Sequence, residues 1–90
     1  MGAPRERPAH LAAKLLTIRQ ALGLSQSELI AKLRRDFSTA RISEYEKGTR
    51  IPSLLTLLAY AKVARVSVEI LIDDKLELPE RFLSARLVVQ

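Results

Sequence analysis

Leu22-Gly-Leu-Ser-Gln-Ser-Glu-Leu-Ile-Ala-Lys-Leu-Arg-Arg-Asp-Phe-Ser-Thr-Ala-Arg-Ile-Ser-Glu-Tyr-Glu-Lys-Gly-Thr-Arg-Ile-Pro52 is the stretch whose reading decides the fold. Gly23 and Gly48 are suited to the left-handed backbone that ends a helix. Pro52 lacks the amide hydrogen needed to carry a helix on. Ser25 and Glu28 have capping-box spacing: the hydroxyl accepts from the Glu28 amide and the carboxylate reaches back to the Ser25 amide. Leu24 and Leu29 flank that cap at staple spacing. Thirteen residues later Phe37, Ser38 and Ile42 repeat the staple and cap. The spacing predicts a short helix over about 26–34 and a second over 39–47, joined by a tight turn.

Working outward, Leu11, Leu15, Ile18 and Leu22 recur at helical spacing, which predicts a helix over 9–22 with those four on one face. In the two central helices Leu29, Ile30 and Leu33, then Ile42 and Tyr45, point inward. Ser53 caps a fourth helix over 54–64, with Leu54, Leu57, Leu58 and Ala61 sharing a face. Ser67 caps a short fifth over 68–73, stapled by Val66 and Leu71. No convincing strand pattern interrupts them. The fold class is all-α, a bundle of five helices whose short links make sequential helices neighbours. Two capped helices as close as the central pair pack at a steep angle. The second then stands out as a ridge, a geometry that enters a DNA major groove.

Ninety residues make one domain with a modest core, and 48% apolar residues make it globular. The chain has no Cys and a single His, which excludes a Cys/His zinc site and a disulfide scaffold. No metal or cofactor is expected, and a cytoplasmic location fits the lack of Cys. His10 alone supplies no nucleophile–base–orienter set, so enzymatic chemistry is not expected. Few aromatics and no Trp argue against a surface for stacking single-stranded bases. No apolar run approaches the ~18 residues of a membrane span. Residues 1–8 carry no apolar segment of the signal-peptide kind and read as a flexible arm. Charge is uneven: residues 1–50 hold ten Lys and Arg against five Asp and Glu, whereas residues 51–90 hold five of each. The whole excess of +5 lies in the half with the two central helices, which suggests a polyanionic partner.

Residues 74–90 form a C-terminal extension. Pro79 breaks any helix carried on from the fifth, and residues 86–90 suit either a strand or a helix end. Leu76, Leu78, Phe82, Leu83, Leu87, Val88 and Val89 are more apolar surface than a monomer leaves in water.

Residues 11–73 resemble the helix-turn-helix DNA-binding domain of the lambda-repressor and Cro type (the XRE family). The resemblance rests on Leu22-Gly23-Leu24-Ser25-Gln26 into Glu28-Leu29. It continues in Ile42-Ser43, Tyr45-Glu46 and Gly48, in Ile51-Pro52-Ser53-Leu54 and Leu57, and in Val66-Ser67-Val68 with Leu71. One departure is a link lengthened by about two residues at Arg34-Arg35-Asp36, which a surface turn absorbs at small entropic cost.

The resemblance implies a role for each exposed residue. Gln26, at a helix start, clamps a phosphate. Thr39, Ala40, Arg41 and Glu44 face base edges. Arg41 suits guanine O6 and N7, while Thr39 and Ala40 are small enough to meet a thymine methyl. Glu44 must accept from cytosine N4, pair with Arg41 three residues away, or point aside. Ser38 and Ser43 are phosphate candidates, although Ser38 is first a cap. Lys47, Thr49 and Arg50 line the flanking backbone, as do Arg34 and Arg35. Arg19 and Glu46 pair across the first and third helices and set the angle of the reading helix. The expected protein is a sequence-specific regulator of double-stranded DNA, a repressor acting as a homodimer on an inverted repeat, with the extension as the dimer contact. The same fold serves antitoxins, in which the extension would hold a toxin, and it occurs in interaction modules that have lost DNA binding. Only Glu44 favours the latter.

Overall fold

The computed structural model describes residues 7–83. Its helices are α1 (Leu11–Ala21), α2 (Gln26–Leu33), α3 (Thr39–Lys47), α4 (Leu54–Ala64) and α5 (Val68–Ile72). A sixth helical segment occupies residues 80–83, and no strand occurs among the described residues. The architecture is all-α, as the periodicity requires. Residues 1–6 of the arm and 86–90 of the extension lie outside the described residues.

The helix boundaries follow from capping chemistry. Ser25, Ser38 and Ser53 accept the amides of Glu28, Arg41 and Thr56. The Ser25–Glu28 box is complete, its two bonds being 2.8 and 3.0 Å. Those bonds hold the Glu28 carboxyl below its ordinary pKa, the Ser25 amide contributing most. α1 ends in a Schellman turn: the Leu24 amide bonds the Arg19 carbonyl, the Gly23 amide bonds the Gln20 carbonyl, and Gly23 has φ of 70°. α3 ends the same way at Gly48, with φ of 81°. Ser67 departs from expectation. It occupies the N-cap of α5, but its side chain makes no capping bond; its backbone carbonyl takes the Ile70 amide instead.

α3 packs on both α1 and α2, α4 on α2 and α5, and α5 closes back on α1. The core they enclose includes Leu15, Ile18, Leu29, Ile42, Tyr60 and Leu71, all without solvent contact. Leu22, expected inward, is exposed because the turn at Gly23 lifts it off the helix, and Leu24 packs against the core beyond that turn. Leu54 and Leu58, also expected inward, are exposed at 68% and 40%. The inner face of α4 is Leu57, Tyr60, Ala61 and Ala64. That helix has apolar residues all round, so hydrophobicity alone does not identify its inner side.

The extension is fastened to the bundle at three points. Leu78 and Phe82 are buried in the common core. Arg81 donates to the carbonyls of Ala64 and Arg65, covering the end of α4, and its guanidinium lies 4.2 Å from the Phe82 ring centre. At α1 the fastening is reciprocal. α1 has no side-chain cap of its own; the Asp74 carboxylate accepts from the amides of Ala9 (2.8 Å) and His10 (3.1 Å). These two bonds hold the Asp74 carboxyl below its ordinary pKa. Lys14, only 7% exposed, donates in return to the carbonyls of Ile70 in α5 and of Asp73 and Leu76 beyond it.

Candidate nucleic-acid interface

The angle of α3 is set from beneath. Arg19 of α1 donates through Nε and Nη2 to the two carboxylate oxygens of Glu46, at 2.7 and 3.0 Å. The side chains are 18% and 6% exposed, so the fork lies close to the core. A planar guanidinium facing a carboxylate fixes orientation as well as distance. Nη1 of Arg19 donates to the Leu24 carbonyl, which ties the turn before α2 into the same unit. The hydrogen bond that Arg19 donates to Glu46 raises the Arg19 pKa, against an opposing effect of burial. The pairing expected from the resemblance is therefore present in the fold.

Gln26 joins this unit. Its side-chain amide reaches Glu46 Oε1 at 3.4 Å, so the first residue of α2 is oriented by the carboxylate that orients α3. Beneath them Tyr60 is fully buried. Its hydroxyl finds no hydrogen-bond partner among the described residues, and burial pushes its pKa up.

The outer face of α3 carries Thr39 and Ala40, both exposed, followed by Arg41, Ser43 and Glu44, each half-buried. Arg41 is held over the Phe37 ring, 5.1 Å from its centre, and Arg35 approaches the same ring at 5.7 Å. Phe37 stands edge-on to Tyr45, with centroids 5.9 Å apart, and so links this cationic platform to the core. The link before α3 therefore brings Arg35 beside Arg41 at the start of that helix. Ser38 caps α3 through the Arg41 amide.

Of the alternatives open to Glu44, pairing with Arg41 is not the one the fold adopts. Its partner is Arg50, whose Nε donates to Glu44 Oε1 at 2.8 Å. The Schellman turn at Gly48 folds residues 49–50 back along α3, which brings Arg50 within reach. Thr49 donates from its hydroxyl to the Glu44 carbonyl at 3.3 Å. Lys47 is exposed at the end of α3. Sequence reading did not find the Phe37 platform or the Arg50 pairing. The aromatic preceding the Ser38 cap was the available signal for the first.

A helix-turn-helix family model matches residues 15–71, from within α1 to within α5. The chain belongs to this helix-turn-helix family, of the lambda-repressor and Cro type. Comparison with curated proteins and with solved structures gives no significant match. Family membership makes the chain a DNA-binding helix-turn-helix regulator. No helix among the described residues is long and apolar enough to cross a membrane.

Proposed function

We propose that the protein is a sequence-specific transcriptional repressor that binds a double-stranded inverted repeat as a homodimer. The observation that carries this reading is the outward face of α3, braced from below by the Arg19–Glu46 fork. In this reading Thr39 and Ala40 meet thymine methyls, and Arg41 leaves Phe37 to donate to guanine O6 and N7. Glu44 reads cytosine N4, and its ion pair with Arg50 moderates the negative field that phosphates would otherwise meet. That pairing weakens the case for an interaction module without DNA binding, which Glu44 alone favours. Gln26, oriented by Glu46, clamps a phosphate beside the amides at the start of α2. Ser38, Ser43, Lys47, Thr49 and Arg50 contact the flanking backbone.

Dimerisation through the extension is supported by its outward side chains. Leu76 and Leu83 are exposed at 37% and 38% and line one groove beside His10. A two-fold contact there would hold two reading helices about one DNA turn apart, ~34 Å. The test is a titration of a duplex carrying the inverted repeat upstream of the protein's own gene, followed by fluorescence anisotropy and sedimentation. Two chains per duplex are expected, with an affinity that falls ~10³-fold or more between 50 and 200 mM salt, as several phosphate contacts require. Leu76→Ser combined with Leu83→Ser should give a monomer that still folds and binds weakly. Salt-independent binding would refute the DNA reading. An unchanged dimer in that variant would refute the role of the extension.

A further inference from the structure

α4 has a second apolar face that the bundle does not cover. Its inner side is Leu57, Tyr60, Ala61 and Ala64. On the outer side Leu55, Leu58, Ala59, Lys62 and Val63 recur at helical spacing, and they floor a groove of about 580 Å³ together with the C-terminal end of α2. Leu55 is 63% exposed and Leu58 40%. A helix that is apolar all round is normally covered on all sides. α2 supplies Leu33 to one wall of the groove and then ends, leaving the stripe open.

The rim is of one sign. Lys32, Arg34, Arg35 and Lys62 surround the leucines, and no acidic side chain lines the groove among the described residues. Arg34 occupies the left-handed position that ends α2, with φ of 57°. This combination discriminates among occupants. A second copy of the same face would set four cations against their own counterparts, which is destabilising at short range. A nucleic-acid backbone would satisfy the cations but would leave leucines under phosphates. An amphipathic helix with leucine-like residues on one side and carboxylates flanking them satisfies both.

We propose that the groove between α2 and α4 docks an acidic amphipathic helix of a partner protein, at a surface that contains no residue of the reading helix α3. Arg35 also approaches the Phe37 ring at the start of α3, so the groove adjoins the DNA-facing surface; the proposal itself does not rest on the operator or dimer assignments above.

The test is an amide chemical-shift titration of the full chain with two synthetic helical peptides that share one leucine stripe, one with Glu and one with Gln at the flanking positions. The Glu peptide is expected to shift the amides of Leu33, Ala59, Lys62 and Val63 and to bind at least tenfold more tightly than its Gln twin. Lys62→Glu and, separately, Leu55→Ser should each weaken it about tenfold, with thermal melts confirming that both variants fold. Four outcomes would overturn the proposal. The Glu peptide could leave the groove amides unmoved. The two peptides could bind equally, which would mean an uncharged partner. Random duplex DNA could shift the same amides, which would mean a nucleic-acid site. Shifts that depend on protein concentration without peptide would mean a second copy.

Discussion

Replacing Glu46 by Ala is the sharpest perturbation of the brace beneath α3. The change removes both fork bonds, at 2.7 and 3.0 Å, and leaves a guanidinium that is only 18% exposed. Removing one member of a buried pair costs about 3–5 kcal/mol, most of it from the charge left behind. Arg19 keeps its bond to the Leu24 carbonyl and has some access to water. The lower end applies, so about 3 kcal/mol is expected. The bond to Gln26 is long at 3.4 Å and adds little. Replacing both partners, Arg19→Met with Glu46→Leu, should recover much of the loss because no uncompensated charge remains. Urea denaturation followed by circular dichroism, at constant m, measures the cycle formed by the parent, Arg19→Met, Glu46→Leu and the double variant. A coupling of about 2 kcal/mol is expected for side chains in direct contact. A coupling within ~0.5 kcal/mol of zero would mean that the fork does not operate in solution, and the reasoning on the angle of α3 would fall with it.

Three other outcomes can be measured. Arg41→Ala should relax base preference at one or two operator positions, whereas Gln26→Ala should weaken all sequences alike; competition binding over a randomised site distinguishes them, and a uniform loss from Arg41→Ala would make that residue a phosphate contact. Lys14→Met keeps the apolar stem but removes charged hydrogen bonds to three carbonyls, so stability should fall by about 2–3 kcal/mol, and a melting temperature within a degree of the parent would refute the clasp. The Asp74 pKa is lower in the folded chain than in the unfolded one. Its contribution is therefore present above the ordinary value of about 4 and is lost as pH falls through the depressed one. The melting temperature of Asp74→Asn should accordingly fall less steeply with acid than that of the parent, and parallel profiles would show the carboxylate to be idle.

Where the signals are local, the residues announce the fold. Ser38 with Gly48 brackets α3, and Ser53 starts α4, because a hydroxyl cap and a left-handed glycine are decided within a few residues. The ends of α2 and α4 are less legible. Arg34 and Arg65 take the left-handed position there, with φ of 57° and 59°, and a non-glycine residue does so only when the chain beyond requires it. Lys14 has the look of a solvated lysine between leucines, and its burial depends on carbonyls 56 to 62 residues away. Helical spacing allows Glu44 to pair with Arg41, but tertiary structure sends Arg41 to Phe37 and brings Arg50 round the Gly48 turn. The candidate interface was readable as a set of positions; the connections that stiffen it were not.

The cap of α1 has a consequence for the order of events in synthesis. The amides of Ala9 and His10 wait for an acceptor 65 and 64 residues downstream. A helix start without its cap frays. α2 and α3 carry their serine caps with them and can close as soon as they leave the ribosome. α1, made before α2 and α3, is therefore secured after them, once Asp74 has emerged. Stalling translation just before and just after the Asp74 codon should change the protection of the first turn of α1 while leaving that of α3 as it was.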